Sequence, residues 1–220
     1  AKHTTAWQDL QRTVRIVRSK AASYGLDPGQ IGIMGSSAGG HLTVMGVTSS
    51  RQNSYLAIDA MDKLPCNVQW GIGIYPAYSL TDGIDVPNKT GGNDDSATLV
   101  PEFNFDLDTA PMLMIHGDAD GWASMNSVKI WEKLRSMGIQ GELHTLALRQ
   151  HCFQQSASML PAVDLVEENV ALGSVLPCRD AALVVMQGNY IGPFFLQGKH
   201  CLLFKGASVL CYHYSDCAGD

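Results

Sequence analysis

Long hydrophobic runs are missing from this sequence, and none approaches the ~18 residues that a bilayer-spanning helix needs. Dense Lys/Arg clusters are missing too, and the 220 residues carry a formal net charge of −6. That balance offers no phosphate-binding face and argues against a nucleic-acid partner. No basic stretch followed by an apolar run and small residues opens the chain, so no secretory leader is visible and the compartment is left open. Cysteine is scarce, with six residues and no Cys-x-x-Cys pair. Cys66 and Cys152 lie in the body of the chain. Cys178, Cys201, Cys211 and Cys217 lie in the last third, near His200 and His213, at spacings that match no zinc pattern. They read as ordinary buried or oxidisable thiols, and neither a metal nor a cofactor is expected. Repeats and low-complexity segments are absent. The composition itself, 45% hydrophobic and 16% charged, belongs to a folded globular chain long enough for a sizeable core.

The order of apolar patterns indicates alternating helix and strand. Thr5-Ala6-Trp7-Gln8 reads as a capping box, and Trp7, Leu10, Val14, Val17, Ala21 and Tyr24 follow at helical spacing. Arg12, Arg15, Arg18 and Lys20 fall off that stripe and are expected to stay wet or partly so. Gly25 stops the helix, and Asp27-Pro28-Gly29 turns the chain. Buried strands are then expected at Ile31–Met34, Val68–Pro76 and Pro111–Gly117 and a fourth strand at Glu142–Leu148, with helices at Ala38–Val47 and around Val128–Leu134. Residues 51–63 have no clear pattern. Residues 78–108, rich in Asp, Asn, Gly, Pro and Thr, read as a long excursion shaping the mouth of a site; Asn88-Lys89-Thr90 within it matches a glycosylation acceptor. This rhythm predicts an α/β fold with a mostly parallel sheet covered by helices over about residues 1–160. Residues 161–220 form a C-terminal segment of unassigned type. A helix fits 161–172, and short apolar runs follow at Ala181–Met186, Tyr190–Leu196 and Cys201–Tyr212.

The chemistry centres on Gly35-Ser36-Ser37-Ala38-Gly39. A serine on a sharp strand-to-helix turn sits in a strained backbone position, so its neighbours must be small for the turn to close. Ser37 would then project above the sheet, with the Ala38 N–H aimed at the same space as an oxyanion donor. A serine needs a general base in hydrogen-bond reach, and the base needs an orienting acid. In a parallel sheet both come from loops at the strand C-termini. Asp120 and His151 each follow a predicted strand, in the order Ser, Asp, His. Asp118 competes with Asp120 for the acid role, but it follows the turn glycine directly and reads as a cap or a solvated residue. His41 and His116 read as structural residues tying loops together. Trp70 and Trp131 read as core, and Trp122, beside Asp120, is the candidate for substrate binding. Cys152 follows the base in sequence and has no reason to face Ser37.

Ala6-Trp7-Gln8-Asp9-Leu10, Tyr24–Pro28, Ile31–Leu42, Ile74–Tyr78, His116–Asp120 and His151-Cys152-Phe153 together resemble the α/β-hydrolase esterase and lipase family that includes acetylxylan and feruloyl-type esterases. The resemblance implies an α/β-hydrolase-like fold with Ser37 as nucleophile, Asp120 as acid and His151 as base. It implies a cofactor-free carboxylic ester hydrolase acting on a small acyl ester, either on a carbohydrate or on another short-chain alcohol. The family's upstream His-Gly-Gly-type loop, its earlier strands and its Trp/Phe-rich closing helix have no counterpart here, so the chain reads as truncated at its N-terminus. Losing one oxyanion donor costs about 3–4 kcal/mol, or roughly 10²–10³ in rate. A catalytically impaired remnant or interaction module is therefore an alternative, as is a serine peptidase of the same fold. The missing strands would also leave one edge of the Ile31–Met34 strand open. The apolar tail runs are candidates to cover it, Cys201–Tyr212 above all. Oligomeric state is not legible.

Overall fold

A computed structural model describes residues 3–81 and 97–151 in full and, beyond them, the backbone of four strands between 182 and 212. Three helices, α1 (Thr4–Lys20), α2 (Ala38–Thr48) and α3 (Met125–Ser136), accompany strands β1 (Ile31–Ser36), β2 (Trp70–Ile74), β3 (Met112–Gly117) and β4 (Gly141–Leu146). The later strands are β5 (Ala182–Gln187), β6 (Tyr190–Gln197), β7 (His200–Lys205) and β8 (Ser208–Tyr212). All eight form one sheet in the order β4-β3-β2-β1-β5-β6-β7-β8. Pairing is parallel from β4 through β5 and antiparallel from β5 to β8.

The parallel strands follow from their composition. Every residue of β2 and of β3 is buried, as continuous apolar runs require when helices flank a parallel sheet. Leu10, Val14 and Val17 of α1 pack with Ile31 and Ile33 of β1, Val44, Met45 and Val47 of α2, and Met112 and Met114 of β3. Register aligns the strand ends: Ser36 pairs with Ile74, Ile74 with Ile115, and Gly117 with Leu146. The loops after β1, β2, β3 and β4 therefore open on one edge of the sheet.

Four features differ from the sequence expectation. The capping box is not formed: the helix starts at Thr4 with His3 as N-cap and no side-chain cap. The Gln8 amide instead donates to the Ser54 carbonyl at 3.1 Å, a tertiary bond that pattern reading does not reveal. Arg15 is buried at 3% exposure, not wet. Its guanidinium donates to the Leu64 carbonyl, the Tyr55 hydroxyl and Asn53 Oδ1 at 2.7–3.0 Å, and this fork of buried acceptors replaces water. The patternless stretch around 51–63 supplies those acceptors and ends in a 3₁₀ turn, Ala60–Lys63, capped by Asp59 through the Met61 N–H. The 78–108 excursion is partly core: Leu80 bridges Leu99, and Val100 and Phe103 are buried.

The open edge of β1 is taken by β5, which runs parallel to it from Ala182 against Ile31 to Met186 against Gly35. Cys201–Tyr212 lies farther out, divided between β7 and β8. The reason is geometric. A strand reaching β1 in parallel leaves its own outer edge open, and antiparallel partners add there in succession. The expected helix at 161–172, the acceptor motif Asn88-Lys89-Thr90, Cys152, and the cysteine and histidine side chains of the last third lie outside the described residues.

Candidate active site

β1 ends at Ser36, and the next residue turns sharply into α2. Ser37 has φ 54° and ψ −118°, a backbone state that L-residues adopt only when their surroundings impose it. Its N–H donates to the Ile74 carbonyl at 3.0 Å, and its own carbonyl accepts from the N–H groups of His41 and Ala77, both at 3.1 Å. Gly35 permits the turn: a Cβ there would stand 2.2 Å from the Gly39 carbonyl oxygen. Ala38 opens α2, so its N–H is one of the helix-start donors with no intrahelical carbonyl.

The Ser37 hydroxyl lies 2.8 Å from His151 Nε2. His151 Nδ1 lies 3.0 and 2.8 Å from the two oxygens of Asp120. The proton assignment follows. Asp120 accepts only, so Nδ1 carries the hydrogen and Nε2 is left to accept from the Ser37 hydroxyl. Three groups spread over more than a hundred residues of chain thus form one hydrogen-bonded line on the edge where β1, β3 and β4 end.

Asp120 is buried. Burial pushes its carboxyl up, but hydrogen bonds from His116, His151 and the Trp122 N–H outweigh this and hold it down at about 2. His116 is the partner that sequence reading did not connect to the acid. Its Nε2 lies 2.8 Å from the Trp122 carbonyl and 3.4 Å from Asp120 Oδ2, and its Nδ1 lies 2.8 Å from the Ser127 hydroxyl. Both groups facing Nε2 are acceptors, so that nitrogen holds the proton and Nδ1 accepts from Ser127. The available signal was the spacing of four between His116 and Asp120 across a tight turn.

Asp118 does other work. Its carboxylate accepts from the Leu148 N–H, and the Asp118 and Ala119 N–H groups donate to the Leu146 and Arg149 carbonyls. The loop that carries His151 is thereby bound onto the end of β3. Gly117 allows the close fit, because a Cβ there would lie 2.1 Å from the Arg149 carbonyl oxygen. Leu148 within this loop has φ 58°, a left-handed state held by these bonds.

Trp122 donates its N–H to Asp120 Oδ1 at 2.8 Å, and its ring packs on Tyr78 with centroids 4.4 Å apart. Tyr75, which follows β2, packs on the His151 ring at 4.7 Å. Sequence reading placed both tyrosines in the resembling segment Ile74–Tyr78 but gave neither a role. Their position after a strand that ends on the same edge was the clue. A cleft of about 430 Å³ lined by Arg15, Asn53, Tyr55 and Asp62 includes none of these groups; the chemistry, not the cavity, marks this site.

The sequence profile of the BD-FAE family matches residues 1–134. The chain belongs to the BD-FAE family. The matched stretch holds Ser37, His116 and Asp120, while His151 lies beyond it. No curated protein matches the chain by sequence. Among solved structures, this BD-FAE chain is similar to an acetyl ester-xyloside bifunctional hydrolase from Caldicellulosiruptor lactoaceticus (21% identity, TM-score 0.60, covering 78% of this chain and 66% of that one). It is also similar to the propionate-bound esterase Est2 of the planctomycete Thermogutta terrifontis (21% identity, TM-score 0.54, 78% and 66% coverage). A truncated carbohydrate esterase from gut microbiota is comparable (22% identity, TM-score 0.53, 75% and 68% coverage). The chain spans about two thirds of the length of these relatives, and at these identities the likeness is one of fold. That fold is the α/β architecture of esterases, and among the described residues no helix is long and apolar enough to cross a membrane.

Proposed function

We propose that this chain hydrolyses carboxylic esters with short acyl groups, including acetylated carbohydrate, through an acyl-serine intermediate. The observation that carries the reading is the hydrogen-bonded line from Ser37 Oγ through His151 to Asp120. Family membership and the esterase neighbours support it.

In this mechanism the Ser37 hydroxyl gives its proton to His151 Nε2 as Oγ attacks the ester carbonyl carbon. The tetrahedral oxyanion receives the Ala38 N–H. The intermediate collapses with cleavage of the carbon–alkoxy bond, and the departing alkoxide takes the proton from Nε2. Water then attacks the acyl-serine carbonyl with His151 again as base, which frees the acid and restores Ser37. Asp120, ionised throughout, keeps the Nδ1–H tautomer and stabilises the transient imidazolium. Trp122 and Tyr78 form an aromatic wall suited to the alcohol portion.

Turnover of p-nitrophenyl acetate by wild type and by Ser37→Ala tests the reading. A loss of about 10³-fold or more is expected, because nucleophile and base act as one unit. Equal rates in the two proteins reject it in favour of a non-catalytic module. Comparing acetylated sugars with peptide esters separates an esterase from a peptidase of the same fold.

A further inference from the structure

A second cluster of titratable side chains sits behind the Ser37 turn. His41 lies one helical turn after Ser37 on α2 and is buried at 7% exposure, with Phe103 packed on its ring at 4.8 Å. Its Nδ1 lies 3.3 Å from the Ala77 carbonyl, and its Nε2 lies 3.4 Å from Glu102 Oε1. The same Glu102 oxygen lies 3.5 Å from Nδ1 of His3, the N-cap of α1. The three ligand atoms all fall within 4.8 Å of one another. Glu102 is anchored from behind: its carbonyl accepts from the Asn104 amide at 3.0 Å.

Proton counting makes this cluster unusual. The carbonyl and the carboxylate facing His41 both accept only, and a neutral imidazole has a single N–H. Either tautomer leaves one ring nitrogen aiming a lone pair at an oxygen. A doubly protonated ring would serve both, but it would place a charge on a ring 7% exposed, with Phe103 packed on it and the His3 ring beside it. With Nδ1–H on the Ala77 carbonyl, the Nε2 lone pair faces Glu102 together with the His3 ring. A cation between them turns that conflict into coordination. A histidine that ligates a metal typically donates its other N–H to a backbone carbonyl, and Ala77 stands in that place.

We propose that His3 Nδ1, His41 Nε2 and Glu102 Oε1 bind one zinc ion that ties α1, α2 and the segment carrying Glu102 together behind the Ser37 turn. Two imidazoles and one carboxylate suit zinc better than magnesium or calcium, which take all-oxygen sets. Ligand atoms 3.4–3.5 Å apart match the roughly 3.3 Å that neighbouring ligands subtend at a tetrahedral zinc with bonds near 2.0–2.1 Å. The third pair, His3 Nδ1 and His41 Nε2, lies within 4.8 Å, and the His3 ring is partly exposed. The zinc has a structural role: His41 and Ala77, which hold the Ser37 carbonyl through their N–H groups, both belong to the clipped assembly. It does not depend on the esterase reading.

The test is calorimetric titration of the chelator-treated 220-residue chain with zinc chloride, alongside His3→Ala and Glu102→Gln. Both substituted side chains are partly exposed, so both variants should fold, as circular dichroism will verify. Wild type should take up one zinc per chain, and each substitution should weaken binding by about 10-fold or more. X-ray absorption at the zinc edge should show imidazole scattering with no sulfur neighbour. Absence of saturable uptake by folded wild type, unchanged affinity in either variant, or a sulfur shell would each overturn the proposal.

Discussion

His116 Nε2 lies 3.4 Å from Asp120 Oδ2 inside the turn after β3, and neither side chain has exposed surface. The acid is therefore held from two sides, by His151 toward the serine and by His116 from within the fold. The two histidines face different partners, His151 the Ser37 hydroxyl and His116 a backbone carbonyl and a buried hydroxyl. Replacing His116 should show whether the inner partner positions the acid. In His116→Phe the Asp120 carboxylate and the Trp122 carbonyl lose a donor, and the Ser127 hydroxyl loses its acceptor. A fall of about 10-fold in kcat for p-nitrophenyl acetate with little change in KM is expected, together with a stability loss of about 1–3 kcal/mol. His116→Gln, which keeps a donor near the same place, should recover part of kcat. A purely structural role would lower the melting temperature and leave kcat per folded molecule unchanged.

The low pKa of Asp120 has a definite signature in acid. The unfolded carboxyl titrates near ~3.9, whereas the folded one is held at about 2. A depressed pKa means that the folded state binds the proton less readily than the unfolded state. The resulting stabilisation, on the order of 2 kcal/mol, is complete above about pH 5 and is lost as pH falls through the folded value. The difference in melting temperature between wild type and Asp120→Asn should accordingly stay level from pH 8 to pH 5 and shrink below pH 4. A difference that stays level down to pH 3 would show that Asp120 is not held this way.

Asp118 offers a contrast two residues away. Its carboxylate holds the Leu148 N–H, and Leu148 has φ 58°. Removing that acceptor in Asp118→Ala should loosen the loop and misplace His151 without touching the proton path. Misplacement by about 1 Å can cost up to 10²-fold in rate, so kcat should fall by roughly 10-fold, less than in Asp120→Asn. Steady-state kinetics of the two variants side by side decide the order. A larger loss from Asp118→Ala would exchange the roles of the two aspartates.

Much of this arrangement was legible in the chain. Ile31–Met34, Val68–Pro76 and Pro111–Gly117 stand out because a parallel strand covered on both faces must be continuously apolar; each of these, and the more polar Glu142–Leu148, overlaps an observed strand, though β4 at the sheet's edge is only partly buried. The small residues around Ser37 stand out because a tight strand-to-helix turn admits nothing larger, as the Gly39 oxygen beside Gly35 demonstrates. Strand order then brings Asp120 and His151 to the same edge. Where local pattern ends, the reading weakens. Arg15 looked like an exposed cation because its acceptors lie about forty residues away in a stretch with no pattern.

The sequence by itself determined the strand-and-helix rhythm, the turn at Ser37 and the chain order of Ser37, Asp120 and His151 on one sheet edge, because each depends on residue size, periodicity or the direction of a parallel strand. Tertiary structure alone decided that Asp118 fastens the loop before His151, that His116 supports Asp120, that β5 covers the free edge of β1, and that His3, His41 and Glu102 converge. Those outcomes rest on distances between residues far apart in the chain, set by how loops close over a finished sheet, and no local pattern encodes them.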